Sequence, residues 1–348
     1  MIQSAAELFD RLSAIKLGAN VCRYTQEYCE DKWPLIQEIR RLKAQKNAII
    51  LAHSYVSPDI IVAVADFVGD SYELSKKAKE SDADVIVFAA VKFMAETAKI
   101  LSPNKTVIMP SLVNGCSLAD SIDEKTVLDL RRQFPDHTFV CYINTSAEVK
   151  AACDVCVTSS NMTDIVSKIP NSRIYFLPDR LMGLNMIEEL KERGIDKQIE
   201  IYHGTCYVHE AYDPEMIDGI KAQYGQNVSI ASHPECSPKI AQKSDFVGST
   251  SQLIKHVKQT QHDAYFLLTE CGLSNRLQTE FPDKKFVGTC TMCKYMKSNT
   301  LELIVAALKN PDPKLLIELS AGCMDKAKRC IDAMFEYYEP KFVPKGEL

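Results

Sequence analysis

The chain has 348 residues, 46% of them hydrophobic and 25% charged, with a net charge of −5 when histidines are neutral. These proportions exclude a disordered polymer, a collagen-like fibre and a disulfide-stapled mini-protein, and the length accommodates about two to three domains. Nothing in the charge suggests an electrostatic grip on nucleic acid, which needs a clustered basic surface, and apolar stretches such as Asp84–Val91 are too short to span a bilayer. Met1–Leu12 carries Glu7 and Asp10 and lacks the basic-then-apolar layout of a secretion signal, so a cytoplasmic location is expected.

In chain order, the periodicity first predicts two helices, around Ala5–Ser13 and Trp33–Gln45. Short β-branched runs then predict strands at Ala48–Ala52, Val85–Ala89, Thr106–Met109, Thr138–Tyr142 and Val155–Thr158. Further strands are predicted at Arg173–Leu177, Glu200–Tyr202, Val228–Ala231, Ala264–Leu268 and Lys285–Val287. Amphipathic stretches separate them, among them Ile60–Ser75, Leu118–Gln133, Asn185–Arg193 and Thr250–Gln259, and a helical tail covers Pro313–Tyr338. Such alternation means parallel sheets flanked by helices, an α/β architecture.

The strand ends carry the chemistry. His53-Ser54-Tyr55, Tyr142-Ile143-Asn144-Thr145, Thr158-Ser159-Ser160-Asn161, His203-Gly204-Thr205-Cys206 and His233-Pro234-Glu235 each follow a strand. Gly248-Ser249-Thr250, Thr269-Glu270-Cys271-Gly272 and Gly288-Thr289-Cys290 complete the series. Ligands of parallel sheets bind beyond the carboxyl ends of the strands, so these endings predict one polar site fed by many loops.

Thirteen cysteines in a chain without an export signal read as buried small hydrophobes plus some metal ligands. Cys116, Cys206 and Cys293 lie 90 and 87 residues apart, each after a unit of several strands. Three near-equal blocks would set three thiolates around a pseudo-threefold axis. That suits an iron–sulfur cluster with one iron lacking a protein ligand, or a zinc with an open position. Cys153-x-x-Cys156 resembles a metal knuckle, but it straddles a buried strand and reads as structural. Cys22, Cys29, Cys141, Cys236, Cys271, Cys323 and Cys330 read as packing.

For general acid–base work the loops offer His53, Tyr55, Tyr142, His209, His233 and Glu235. Gly69-Asp70-Ser71, Thr158–Asn161 and Gly248-Ser249-Thr250 each lead into helical sequence, where free N–H groups receive phosphate or carboxylate. Three such loops favour a substrate with several negative groups. No G-x-G-x-x-G or Walker motif appears.

At these residues the sequence resembles the quinolinate synthases. The resemblance rests on His53-Ser54-Tyr55, Ala65–Ser71, Val91–Glu96, Gly115-Cys116-Ser117, Tyr142–Thr145 and Thr158–Asn161. It continues through Gly204–Glu210, His233–Cys236, Gly248–Thr250, Thr269–Gly272 and Cys290–Lys297. Two positions depart: Val56 where a polar residue is usual, and Ala90 where a glycine is usual.

The resemblance implies three αβα (Rossmann-like) domains in pseudo-threefold arrangement around a central [4Fe–4S] cluster, with Cys116, Cys206 and Cys293 as ligands and one iron open. Residues 1–47 would be N-terminal helices, 48–120, 121–207 and 208–296 the three domains, and 297–348 C-terminal helices returning to the first. It implies condensation of iminoaspartate with dihydroxyacetone phosphate to quinolinate, losing phosphate and two waters, for de novo NAD biosynthesis. An L-aspartate oxidase would supply the iminoaspartate, with no nucleic acid or membrane partner. Substrate contacts would fall to His53, Ser71, Tyr142, Asn144, Ser159, His209, His233, Glu235, Ser249 and Thr250. Tyr55 and Glu235 would handle protons, with His233 and Tyr142 beside them. An iron–sulfur redox sensor and a zinc-dependent hydrolase are the rival readings. Cys290 would be a spare thiol that pairs with Cys293 once a cluster is lost.

Overall fold

A computed structural model describes residues 2–16, 24–225 and 227–338; Cys22 lies outside them. Eleven strands form three parallel sheets among the described residues. The first holds β1 (Ala48–His53), β2 (Phe67–Gly69), β3 (Val85–Ala89) and β4 (Thr106–Ile108) in the order β2-β1-β3-β4. The second holds β5 (Thr138–Tyr142), β6 (Val155–Val157), β7 (Arg173–Leu177) and β8 (Gln198–Ile201) in the order β6-β5-β7-β8. The third is shorter: β9 (Val228–Ser232), β10 (Phe246–Val247) and β11 (Ala264–Leu268), ordered β10-β9-β11. Phe286 makes one parallel bridge to Tyr265 where a fourth strand would stand. Each sheet thus repeats one order, with its first strand central.

The central strands are buried along nearly their whole length. Both faces are covered by helices, so their apolar runs do not alternate. Register sets the site. Pairing of His53 with Gly69, Tyr142 with Val157 and Ser232 with Val247 brings the loops after neighbouring strands to one edge of each sheet.

Several expected elements differ. The stretch Ile60–Ser75 is not continuous: helices Pro58–Ala63 and Ser71–Glu80 flank β2. The break has two causes. Asp66 accepts a hydrogen bond from the Ile50 N–H at 2.7 Å, and Asp70 caps the second helix through a reciprocal bond with Glu73. Within Leu118–Gln133 only Glu124–Gln133 is α-helical, capped by Asp123, after a short 3-10 turn at Ala119–Ser121. Lys285–Val287 is no strand beyond its single bridge.

The terminal helices tie the sheets together. Helix Gln26–Lys46, N-capped by Thr25, packs on helix Leu301–Lys309 and is joined to it by Lys32–Glu302. Helix Ala321–Tyr338 lies on helix Ala147–Ala151 and on β6, and its Phe335 and Tyr338 rings meet Tyr72 of the first sheet's helix. Its apolar face buries Ala327, Cys330, Ile331 and Met334, and a fully buried Ile or Met side chain stabilises by about 1.5–3 kcal/mol.

Candidate active site

The loops after β1, β5, β6, β9 and β11, with those reaching Cys116 and Cys206, close around one cavity of about 80 Å³. His53, Tyr55, Ser71, Tyr142, Asn144, Ser159, His209, His233, Glu235 and Thr250 line it, together with Cys116, Cys206 and Cys293. Of the residues expected from sequence, Ser249 alone does not. Its hydroxyl accepts the Gln252 N–H as the N-cap of helix Thr250–Gln259 and meets Asp70 at 3.5 Å. Among the described residues no lysine or arginine lines the cavity.

Close backbone approaches bring the loops together. A Cβ on Gly272 would stand 2.6 Å from the Tyr55 backbone, and one on Gly204 would stand 2.7 Å from the Pro178 carbonyl. Only glycine permits either approach. Lys150, fully buried, donates to the carbonyls of Ile143 and Thr145 and so braces the turn that presents Asn144. Asn144 Oδ1 is itself buried without a hydrogen-bond partner.

A chain of hydrogen bonds crosses the cavity wall. Tyr142 donates to Glu235 Oε1 at 2.7 Å, and His209 Nδ1 lies 3.0 Å from Oε2. His209 Nε2 is 3.0 Å from the Thr269 hydroxyl, which is 2.7 Å from the Tyr55 hydroxyl. Tyr55 also meets Thr250 at 2.8 Å. His233 stacks on His209 with ring centres 4.6 Å apart. His53 and His233 repeat one device: each Nδ1 accepts the N–H two residues on, from Tyr55 and Glu235.

The electrostatics follow from burial and these partners. Burial, aided by His209, lowers His233 to a pKa of about 3, and burial lowers His53 to about 3 as well. Both rings are therefore neutral at pH 7. Burial disfavours the charge on Glu235, but the nearby His209, its hydrogen bond and Tyr142 outweigh that and bring the pKa to about 2. Burial pushes the hydroxyls of Tyr55 and Tyr142 up. It also pushes up the thiols of Cys206 and Cys293, and Cys116 to about 12. Metal binding at these thiols would release protons.

Thr269 and Glu270 join the candidate site although the sequence gives neither a role there. The Thr269 hydroxyl bonds to both Tyr55 and His209. Glu270 accepts the Cys293 N–H at 3.0 Å and pairs with Lys297 at 3.1 Å, fixing the loop of the third cysteine. Tyr207 accepts the Lys294 N–H at 2.8 Å and thereby joins the Cys206 and Cys293 loops.

Two cysteine expectations are corrected. Cys271 is not a mere packing residue, and Cys290 is not poised for Cys293: the two form a disulfide with each other, Cα atoms 5.1 Å apart. The Cys271 N–H donates to the Thr291 carbonyl, and that pairing sets the loop beside Cys271.

An α/β fold whose strand-end loops gather three cysteines, stacked histidines and a buried carboxylate on one cavity defines an enzyme site. The quinolinate synthetase A protein family matches residues 37–336. A quinolinate synthase of Alkaliphilus metalliredigens is 39% identical over 304 residues, covering 87% of this chain and 98% of its own. One of Aquifex aeolicus is 40% identical over 309 residues, covering 87% and 94%, and one of Agrobacterium fabrum is 37% identical over 334, covering 96% and 92%. The chain belongs to the quinolinate synthase family and is an enzyme of NAD biosynthesis.

Proposed function

We propose that this cavity joins iminoaspartate to dihydroxyacetone phosphate and yields quinolinate, with loss of phosphate and two waters. The observation that carries the reading is the presence of Cys116, Cys206 and Cys293 on the wall that also holds the Tyr55–Thr269–His209–Glu235–Tyr142 chain. The donor set fits a [4Fe–4S] cluster. Among the described residues only Cys206, His209 and Glu235 place ligand atoms within 4.8 Å of one another. The three sulfurs therefore stand too far apart for one ion with bonds of about 2.3 Å, and Cys116, Cys206 and Cys293 would hold a polynuclear cluster instead. When bound, its open iron supplies Lewis acidity toward a departing hydroxide.

The protein's own groups do the rest. With no lysine or arginine among the described residues of the cavity wall, the substrate's anionic groups fall to the N-terminus of helix Ser71–Glu80, to that of Thr250–Gln259, and to Ser159 and Asn144. Glu235, ionised, takes a proton from the substrate carbon skeleton; His209, Thr269 and Tyr55 relay the charge by each passing on its own proton, and Tyr55, on the cavity wall, delivers the last one to the departing hydroxide. Tyr142, un-ionised, holds Glu235 Oε1 through its single O–H and can turn that donor to a leaving oxygen once Glu235 has taken a proton. Neutral His53 and His233 orient substrate without adding charge. We read the three sheets as three αβα domains over 48–120, 121–207 and 208–296 in pseudo-threefold arrangement. Residues 1–47 and 297–348 supply the flanking helices.

A single zinc ion at Cys206, His209 and Glu235 is the second reading. It would break the hydrogen bonds of Glu235 and His209 just described, and this favours the cluster. An open-iron cluster suits the reducing cytoplasm, and an L-aspartate oxidase is the class of enzyme that would supply iminoaspartate. No helix of the described residues is long and apolar enough to cross a membrane. The test is anaerobic assay of purified protein with dihydroxyacetone phosphate and enzymatically generated iminoaspartate. Quinolinate formed in proportion to bound iron supports the reading. A colourless zinc protein that is inactive in this assay contradicts it.

A further inference from the structure

Four thiols outside the active cavity meet in the second sheet. The sulfur of Cys141 on β5 lies 3.6 Å from that of Cys330 on helix Ala321–Tyr338, and Cys153 and, on β6, Cys156 are close enough to interact with it. Cys141 and Cys156 are register partners on adjacent strands. All four are buried; Cys153 is the most exposed, at 8%. Above them opens a cavity of about 420 Å³ lined by Cys153, Cys330, Arg131, Lys326, Arg329 and Asp154. Arg131 is committed to Asp154 through two bonds of 3.0 Å, which leaves Lys326 and Arg329 as the charge offered to a visitor.

The arrangement is a hub, not a cage. Among the described residues no three of these sulfurs come within 4.8 Å of one another, whereas a tetrahedral metal with bonds of about 2.3 Å needs all of them closer than that. Thiol–disulfide exchange needs only successive pairs. We propose that Cys153, Cys141 and Cys330 form an exchange relay that is oxidised by a small disulfide bearing carboxylates, drawn in by Lys326 and Arg329. The Cys153 thiolate attacks one sulfur of that disulfide; its S–S bond breaks and one half leaves as a thiol. Cys141 attacks the Cys153 sulfur and expels the second half as a thiol. Cys330 then attacks Cys141 and returns Cys153 to a thiol, leaving a Cys141–Cys330 bond. Two protein thiols are oxidised, one small disulfide is reduced to two thiols, and the protons pass to the departing sulfurs.

Burial pushes Cys153, Cys156 and Cys330 up, and it opposes ionisation of Cys141 too. There, hydrogen bonds from the other three and the field of Lys150 prevail and lower it, which suits the hub to the second attack, while the first draws on the small thiolate fraction of Cys153 and sets the rate. The product would staple the second sheet to the helix that rests on Tyr72.

The test treats the cluster-loaded protein anaerobically with glutathione disulfide and maps its peptides without reduction. A Cys141–Cys330 link with no retained glutathione is expected. Cys141→Ser should trap glutathione on Cys153, and Cys330→Ser should stop at Cys141–Cys153. Lys326→Glu with Arg329→Glu should slow the reaction about tenfold with glutathione disulfide and leave it unchanged with neutral 2-hydroxyethyl disulfide. Unmodified Cys141 in the wild-type protein would overturn the relay, and so would equal slowing with both disulfides.

Discussion

The hydroxyl of Thr269 sits between Tyr55 and His209 and bonds to both. Thr269→Val keeps the shape and removes the link. Its kcat should fall about 100-fold with bound iron unchanged, and Thr269→Ser should recover most of the loss. Steady-state kinetics beside iron analysis decide this, and equal kcat for Val and Ser would reduce Thr269 to a packing residue. His53 makes a pH prediction. Burial lowers its pKa from the ordinary 6.5 to about 3, so the unfolded chain binds the proton first as pH falls. Its contribution to stability is whole above pH 6.5 and is lost toward about pH 3, at up to about 1.4 kcal/mol per pH unit. His53→Asn should flatten that slope, read as the shift in urea midpoint between pH 7 and pH 5. An unchanged slope would mean that another group titrates there.

At the scale of elements, two helix N-termini differ in what they present. Ser71 faces the cavity, whereas the hydroxyl of Ser249 is spent on its own helix. Ser249→Ala should cost about 1 kcal/mol of stability and leave the KM for dihydroxyacetone phosphate unchanged. Ser71→Ala should raise that KM about fivefold, the equivalent of one lost hydrogen bond of about 1 kcal/mol. The reverse pattern would exchange their roles. The loop of the third cysteine gives another test. Non-reducing peptide maps of the protein should show Cys271 joined to Cys290, with no Cys290–Cys293 pair even after iron is removed. The strands were legible because β-branched runs such as Val85–Ala89 are buried on both faces and end at polar loops. Helix Ser71–Glu80 was merged with its predecessor because β2 is only three residues long. Its start depends on Asp70 and Glu73, and its separation on a long-range bond from Asp66 that no local pattern carries.

For the whole molecule, the spacing of Cys116, Cys206 and Cys293 was readable because each sheet repeats one strand order and each cysteine follows the last strand of its sheet. The histidines, Tyr55, Tyr142 and Glu235 were readable as strand endings. Thr269 and Glu270 were not, because a threonine or glutamate acquires a task only when the loops that follow β1 and β11 meet. Nor were the Cys271–Cys290 bond and the Cys141 hub, both products of tertiary approach by residues that look like ordinary core thiols.

Which thiols hold iron decides the chemistry of the cavity. Iron and acid-labile sulfide should be measured per chain, after anaerobic purification, in the wild-type protein and in Cys116→Ser, Cys206→Ser, Cys293→Ser and Cys153→Ser. One [4Fe–4S] cluster per chain in the wild-type protein and in Cys153→Ser, with loss in each of the other three, is the predicted result. A Cys116→Ser, Cys206→Ser or Cys293→Ser protein that retained its full cluster would contradict it.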